Sequence, residues 1–154
     1  MMHHYIQGSV PVPGAGHDLA EIPNYGDSYR LLTLRAVFTT SATVASRFPH
    51  FQFVTPSGQV LHEVVPMSGQ AASLAITYNL IAASGSANEG SGVNDDVSSL
   101  ALPDLWWPAG TTLRTTTTAL QVGDQWSGIY WSALVGEEWE HLRLLAEIAS
   151  TIGG

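Results

Sequence analysis

Cysteine is absent from this chain of 154 residues. Its absence excludes disulfide frameworks, thiolate catalysis and zinc sites built on cysteine. Apolar runs are short, and none approaches the ~18 residues that a membrane-spanning helix needs. The N-terminus lacks a basic region followed by an apolar stretch, so we expect no secretory signal.

Charged residues are scarce. They make up 12% of the chain, about half the ~25% of an ordinary soluble domain. Lysine is absent, all five basic residues are arginine, and the net charge is −8. Phosphate backbones and anionic membrane surfaces bind clustered basic side chains, so we expect neither partner. A dispersed protein normally uses surface charge to stay soluble, and a subunit that packs against other subunits needs less of it.

What the chain does contain predicts one β-rich domain. Hydrophobic residues make up 45% and include five tryptophans, which is enough for a single core at this length. A period of two and turn signals mark seven candidate strands. These strands span residues 28–39, 47–55, 59–65, 73–81, 100–107, 111–120 and 125–135. The pattern predicts an all-β fold, an antiparallel sandwich of about seven to eight strands.

The sequence patterns at the two ends of the chain differ from the strand pattern of the middle. Residues 1–27 are dense in proline and glycine, which predicts an extended N-terminal arm. Residues 137–154 show helical spacing with acidic residues in the first turn and a Gly–Gly end, which predicts a short amphipathic helix. The sandwich would then occupy residues 28–136. A polar connection over residues 83–99 exceeds ordinary hairpin length, so it is either functional or mobile.

Two histidines on neighbouring candidate strands raise the question of a metal site. The segments around them read FPHFQF at His50 and VLHEVV at His62. A cupin-like site needs two histidines that flank one residue, followed by a carboxylate at short spacing. Here Glu63 is the only nearby carboxylate, and it would point to the opposite face from His62. We expect the adjacent His3 and His4 to be exposed side chains, and we predict no metal site.

Other catalytic patterns are also missing from the sequence. Residues 94–96 (NDD) resemble a fragment of a calcium loop without its alternating ligands and distal Glu. No serine lies in a nucleophile elbow, no glycine-rich phosphate loop occurs, and Glu63 and Glu89 have no evident carboxylate partner. We therefore predict no catalytic residue and no cofactor, and we do not expect an enzyme.

Aromatic side chains supply the strongest surface signal. Trp106 and Trp107 are adjacent, so one indole should face outward if they lie on a strand. The candidate strand 125–135 is apolar on both faces, with Trp126 and Tyr130 on the face opposite Ile129. Both faces of such a strand are expected to be buried against other parts of the structure. The candidate interface residues are Trp106, Trp107, Trp126, Tyr130, Trp139, Leu142 and Leu145.

Residues 102–139 read LPDLWWPAGTTLRTTTTALQVGDQWSGIYWSALVGEEW. This segment resembles small structural proteins of tailed bacteriophages. In those proteins an LP-aromatic-P-x-G turn precedes a strand, and a GDxWS turn leads to a last strand that ends in acidic residues and tryptophan. Residues 39–47 (TTSATVASR) and 55–60 (TPSGQV) fit the same pattern.

The resemblance implies a jelly-roll sandwich that decorates the phage particle or joins its parts, with no catalytic residues. The expected function is that of a capsid decoration or cement protein in the virion. It would bind the major capsid protein or other virion proteins, and a homo-oligomer is expected. Two alternatives stay open: a minor head–tail connector, and a carbohydrate-binding jelly roll. The second would use Trp106 or Trp107 for stacking, with Asn94, Asp95 and Asp96 as hydrogen-bonding groups.

Overall fold

The computed structural model describes residues 3–19, 28–82, 97–136 and 147–152. Within these residues the chain forms eight β-strands in two sheets. The strands are β1 (His3–Ser9), β2 (Tyr29–Thr39), β3 (Phe48–Val54), β4 (Val60–Val64), β5 (Ala75–Ala82), β6 (Val97–Leu102), β7 (Thr112–Thr118) and β8 (Gln125–Gly136).

The two sheets differ in size and in strand direction. The larger sheet has the order β1-β8-β2-β5-β6, and the smaller has the order β4-β3-β7. All neighbouring strands are antiparallel except β5 and β6, which are parallel. The predicted all-β sandwich is therefore confirmed. The strand predicted at 100–107 starts at 97 and ends before Pro103, because proline donates no ladder hydrogen bond.

Residues 3–9 are part of the larger sheet, although the sequence assigned residues 1–27 to an arm outside the sandwich. β1 is extended, as expected for an arm, and it pairs with β8 of the same chain. Farther along, Val10 and Leu19 are buried in the core. The sequence signal of β1 is weak because Ile6 is its one apolar side chain packed against that core.

The core lies between the sheets and is rich in aromatic rings. β3 contributes Phe51 and Phe53, which alternate with outward polar residues, as the period of two predicts. Trp126 stacks on Phe38 at 4.5 Å between ring centroids, and Tyr78 lies at 6.0 Å from it. Phe51 of the smaller sheet packs edge-on against Trp126 at 5.9 Å between ring centroids, so side chains of both sheets meet in one aromatic cluster.

A bulge in β8 changes which face its side chains occupy. Between the partners of Arg35 and Val37 on β2, β8 contains one residue more than β2 does. Gly128 has a φ of 56°, a left-handed conformation that glycine adopts without a steric penalty. The extra residue brings Trp126 onto the inward face together with Ile129, where strict alternation would have separated them.

A buried ion pair joins two connections at one end of the sandwich. The Nε and Nη2 atoms of Arg47 donate to the two carboxylate oxygens of Asp124, each at 3.0 Å. Both side chains are fully buried. Arg47 Nη1 also donates to the Ala45 carbonyl, and the Asp124 oxygens accept the backbone N–H groups of Ser41 and Gln121. Each charge therefore has partners in addition to the other, which a buried pair needs.

The surroundings of Asp124 set its protonation. Burial raises the pKa of this carboxyl group, but hydrogen bonds from Arg47 and from the backbone of Ser41 and Gln121 outweigh burial. The pKa of Asp124 therefore lies below its ordinary value, and the group is charged at neutral pH.

A third buried polar side chain, that of Gln70, extends this end of the molecule. Gln70 Nε2 donates to the carbonyls of Phe38 and Leu74, and its Oε1 accepts the hydroxyl of Tyr78. Its backbone pairs with that of Arg47 in both directions. We call Arg47, Gln70, Asp124 and their hydrogen-bond partners the polar corner.

The C-terminal prediction is covered only in part by the described residues. Residues 147–152 are helical and exposed, and residues 137–146 of the predicted helix lie outside the described residues. Most of the predicted 83–99 connection, residues 83–96, lies outside them as well. Among the described residues, no helix is long and apolar enough to cross a membrane.

We expect Asp124→Asn to lower the free energy of unfolding by about 3–5 kcal/mol, because it leaves the buried Arg47 guanidinium without its counter-charge. Urea unfolding measures this loss. Asp104→Asn is the matched control, since Asp104 forms a partly exposed ion pair with Arg30. It should cost about 1 kcal/mol or less. Equal losses in the two variants would contradict a structural role for the buried pair.

The stability difference between the native chain and Asp124→Asn should narrow in acid. The folded-state pKa of Asp124 is depressed below the ordinary 3.8. The contribution of the Asp124 carboxylate to the free energy of unfolding is therefore fully present above pH 3.8. This contribution is lost as the pH falls through the lower pKa of the folded state. Urea titrations of both chains from neutral to acidic pH test this, and a difference independent of pH would contradict it.

Candidate interaction surfaces

The two adjacent tryptophans have opposite environments, as alternation predicted. Trp107 is 5% exposed and stacks on Phe53 at 4.1 Å between ring centroids. Its backbone exchanges two hydrogen bonds with Tyr29 at the start of β2. Trp106 is 41% exposed. Trp107 is therefore corrected from a candidate interface residue to a core residue, and Trp106 is the outward indole.

Trp106 lies at the end of the sandwich away from the polar corner. A Cβ on Gly136, the last residue of β8, would approach its indole to 3.3 Å, so the ring lies over this glycine. The neighbouring Leu105 is half exposed, and Asp104 on the same loop forms an ion pair with Arg30. We call Leu105 and Trp106 the tryptophan patch. An exposed indole beside an apolar side chain can dock into a pocket of a protein or stack on a sugar.

Trp126 is not available to a partner. It is fully buried and packs on Phe38, Phe51 and Tyr78. The prediction that it anchors an interface is therefore wrong in this fold, and the bulge at Gly128 is the physical reason. No signal in the alternation of β8 reveals a one-residue insertion.

Tyr130 remains a surface residue, at 57% exposed. It lies on the outer face of the larger sheet, opposite Arg35 on β2, and Tyr5 on β1 is exposed on the same face. In the centre of this face Thr33 and Ser132 share a hydrogen bond of 2.6 Å. The five strands of the sheet carry only two Asp, Glu, Lys or Arg residues, both of them arginines of β2.

The outer face of the smaller sheet carries a chain of polar contacts. Glu63 accepts a hydrogen bond from Gln52 Nε2 at 2.7 Å through Oε2, and its Oε1 lies 2.8 Å from His50 Nδ1. Thr118 Oγ1 lies 3.2 Å from His50 Nε2, and Arg114 Nε donates to Gln52. The hydrogen bonds from Gln52 and His50 lower the pKa of Glu63.

The order hydroxyl, imidazole and carboxylate in this network is also the order of a hydrolytic triad. Thr118, His50 and Glu63 are cross-strand neighbours on an exposed face, however, and such neighbours hydrogen-bond for structural reasons alone. The sequence missed the contact between His50 and Glu63 because it depends on hairpin register. The pairing of Gln52 with Glu63 places these side chains on one face.

The second candidate histidine is separated from the first. His62 pairs with Phe53 on the opposite face of the sheet from Glu63, as expected, and its ring lies 6.3 Å from that of Trp107. Among the described residues, no group of three or more His, Asp or Glu side chains is arranged to hold a metal ion.

Several predicted residues cannot be placed in this geometry. The interface candidates Trp139, Leu142 and Leu145 lie outside the described residues, as do the loop residues Asn94, Asp95, Asp96 and Glu89.

Comparisons with protein-family models, with curated protein sequences and with solved structures found no match.

The buried position of Trp126 and the exposed position of Trp106 predict different losses of stability when each side chain is truncated to alanine. Trp126→Ala should lower the free energy of unfolding by about 3–5 kcal/mol, because it opens a cavity among packed rings. Trp106→Ala should lower the free energy of unfolding by less, about 2 kcal/mol or below, because 41% of this residue is already exposed in the folded state. Urea unfolding of both variants measures this contrast, and a Trp106 variant as unstable as the Trp126 variant would contradict its place on the surface.

Proposed function

We propose that this chain is a non-enzymatic structural subunit of a tailed-phage virion. Its role there is that of a capsid decoration, or cement, protein that binds the major capsid protein or another virion protein. The observation that carries this proposal is the tryptophan patch at the end of a sheet whose strands are almost free of charge. Exposed tryptophans are enriched among the residues that dominate binding energy at protein interfaces.

Strand pairing supports the jelly-roll part of the proposal. In a jelly roll, a long hairpin is wrapped so that its strands pair in nested order. The pairs β2·β8 and β3·β7 are antiparallel and nested in this way. The parallel pair β5·β6 departs from that scheme.

The proposed subunit binds its neighbours at several places. Trp106 and Tyr130 are exposed and would supply contact residues. The amphipathic helix that the sequence predicts over residues 137–154 would supply Trp139, Leu142 and Leu145. A charge-poor surface suits a homo-oligomer or a lattice, in which the faces of one copy are covered by others.

Two other functions remain as alternatives. Trp106 lies two residues after Asp104, which forms an ion pair with Arg30. This arrangement favours carbohydrate binding, because sugar sites combine an aromatic platform with polar hydrogen-bonding groups. A head–tail connector would use the same surfaces at a lower copy number.

Trp106→Ser should weaken binding to the particle roughly thirtyfold, the loss of about 2 kcal/mol expected for a central interface tryptophan. Purified chain is added to particles assembled without it, and the bound amount is measured against the major capsid protein. Val122→Ser is the control, since Val122 is also exposed and lies beside the polar corner at the other end.

Wild-type binding by the Trp106 variant would contradict the proposed interface. A glycan array, with and without calcium, separates the sugar-binding alternative. Hits that disappear with Trp106→Ser would support sugar binding in place of particle binding.

A further inference from the structure

We propose that the edge of β8 is an acceptor site for an extended strand, and that β1 can occupy this site on a second copy of the chain. The partner is therefore a segment of this same sequence, residues 3–9. Two copies would exchange β1 reciprocally about a twofold axis. Strand exchange goes beyond the proposed function and does not depend on it, since it is a property of the isolated chain.

β1 is joined to the sheet on one side only. Among the described residues it is the first strand, it lies at the edge of the larger sheet, and its one neighbour is β8. The ladder runs from His3↔Gly136 to Ser9↔Tyr130 without a register shift. Every backbone hydrogen bond of this ladder can be made equally well by β8 of another copy.

The side chains of β1 contribute little burial. Tyr5 is 61% exposed, and Ile6 is partly buried against the core. Removing β1 also uncovers the indole of Trp131, which lies against Gly8, and a β1 strand from a second copy would cover it again. Exchange of an identical element between copies keeps the same contacts and is a low-cost route to a dimer.

The segment that follows β1 is held firmly. Val10 N–H donates to the Ile129 carbonyl, and Gly16 N–H donates to the Asp124 carbonyl at 2.7 Å. Gln125 Nε2 donates to the Pro13 carbonyl, also at 2.7 Å. Residues 10–19 are thus fixed to the body of the sandwich. The junction between Ser9 and Val10 is the point at which β1 can pivot away.

The acceptor site selects its strand through one close contact. A Cβ on Gly8 would come within 2.8 Å of Trp131 Cζ2, so the indole of β8 lies directly over the glycine. A larger residue at this position must displace a core ring. The site therefore takes an extended strand with an apolar residue at the position of Ile6 and glycine two residues later.

Single cysteines test the exchange, because the native chain has none. Tyr5→Cys and Leu134→Cys are made in separate full-length chains, at positions that face each other across the ladder. Facing residues have Cα atoms within the range that a disulfide spans. The two chains are unfolded together in urea, refolded at high concentration and oxidised. We expect a covalent heterodimer, at least about tenfold above the yield from Tyr5→Cys mixed with Tyr130→Cys. That control pair is out of register, because Tyr130 faces Ser9.

A chain that carries both Tyr5→Cys and Leu134→Cys shows whether refolding restores the ladder, since it forms the bond within one chain when diluted. If that bond forms but the mixed chains give no more heterodimer than the control pair, β1 does not exchange. If the bond fails to form, the register itself is contradicted. Either result overturns strand exchange and leaves particle binding through Trp106 untouched.

The glycine contact has its own test. Adding Gly8→Val to the Tyr5→Cys chain should reduce the heterodimer at least about tenfold, because valine cannot fit under Trp131. Gln7→Val in the same chain is the matched control, since Gln7 is exposed and next to the glycine. Equal yields in the two variants would contradict the selection of glycine by the acceptor site.

Discussion

The buried pair of Arg47 and Asp124 joins segments of both sheets at one end of the sandwich. Burying two charges is costly unless each is fully hydrogen-bonded, and both side chains here have further partners in addition to each other. Those partners belong to the connection before β3 and to the turn between β7 and β8. Since the pair is satisfied only when both segments are in place, it couples strands of the smaller sheet to β8 of the larger one. Gln70 adds a third segment to the same corner.

This constraint gives the two ends of the sandwich different properties. At the polar corner, buried hydrogen bonds hold the chain in one arrangement. At the opposite end, Trp106 and Leu105 are exposed beside the last residue of β8. A surface that binds a partner needs groups that are fixed in position and still accessible. The backbone bridge between Trp107 and Tyr29 holds this segment in position. Because adjacent side chains point in opposite directions, Trp106 remains accessible.

The sequence predicted those parts of the fold that depend on local pattern. The period of two located seven strands, and adjacency predicted that one of Trp106 and Trp107 faces outward without indicating which. Three features lie beyond such a pattern. The bulge at Gly128 reverses the facing of Trp126 with no sign in the alternation. β1 has too few inward side chains to stand out, and the ion pair joins residues 77 positions apart in the sequence.

The same limit applies to the candidate site. Which tryptophans are exposed depends on bulges and on register, whereas low charge and aromatic content are properties of composition. The sequence therefore predicted that one of two adjacent tryptophans is exposed, but not which one, and it did not predict that Trp126 is buried. The contact of His50 with Glu63 likewise required the register of the β3–β4 hairpin.

The proposed role as a structural subunit of a phage particle is tested most directly by the copy number of the chain in purified particles. Quantitative mass spectrometry would compare the chain with the major capsid protein. A decoration protein predicts a ratio close to one or to a simple fraction of one, while a few copies per particle would indicate a connector. Absence of the chain from particles would contradict the account.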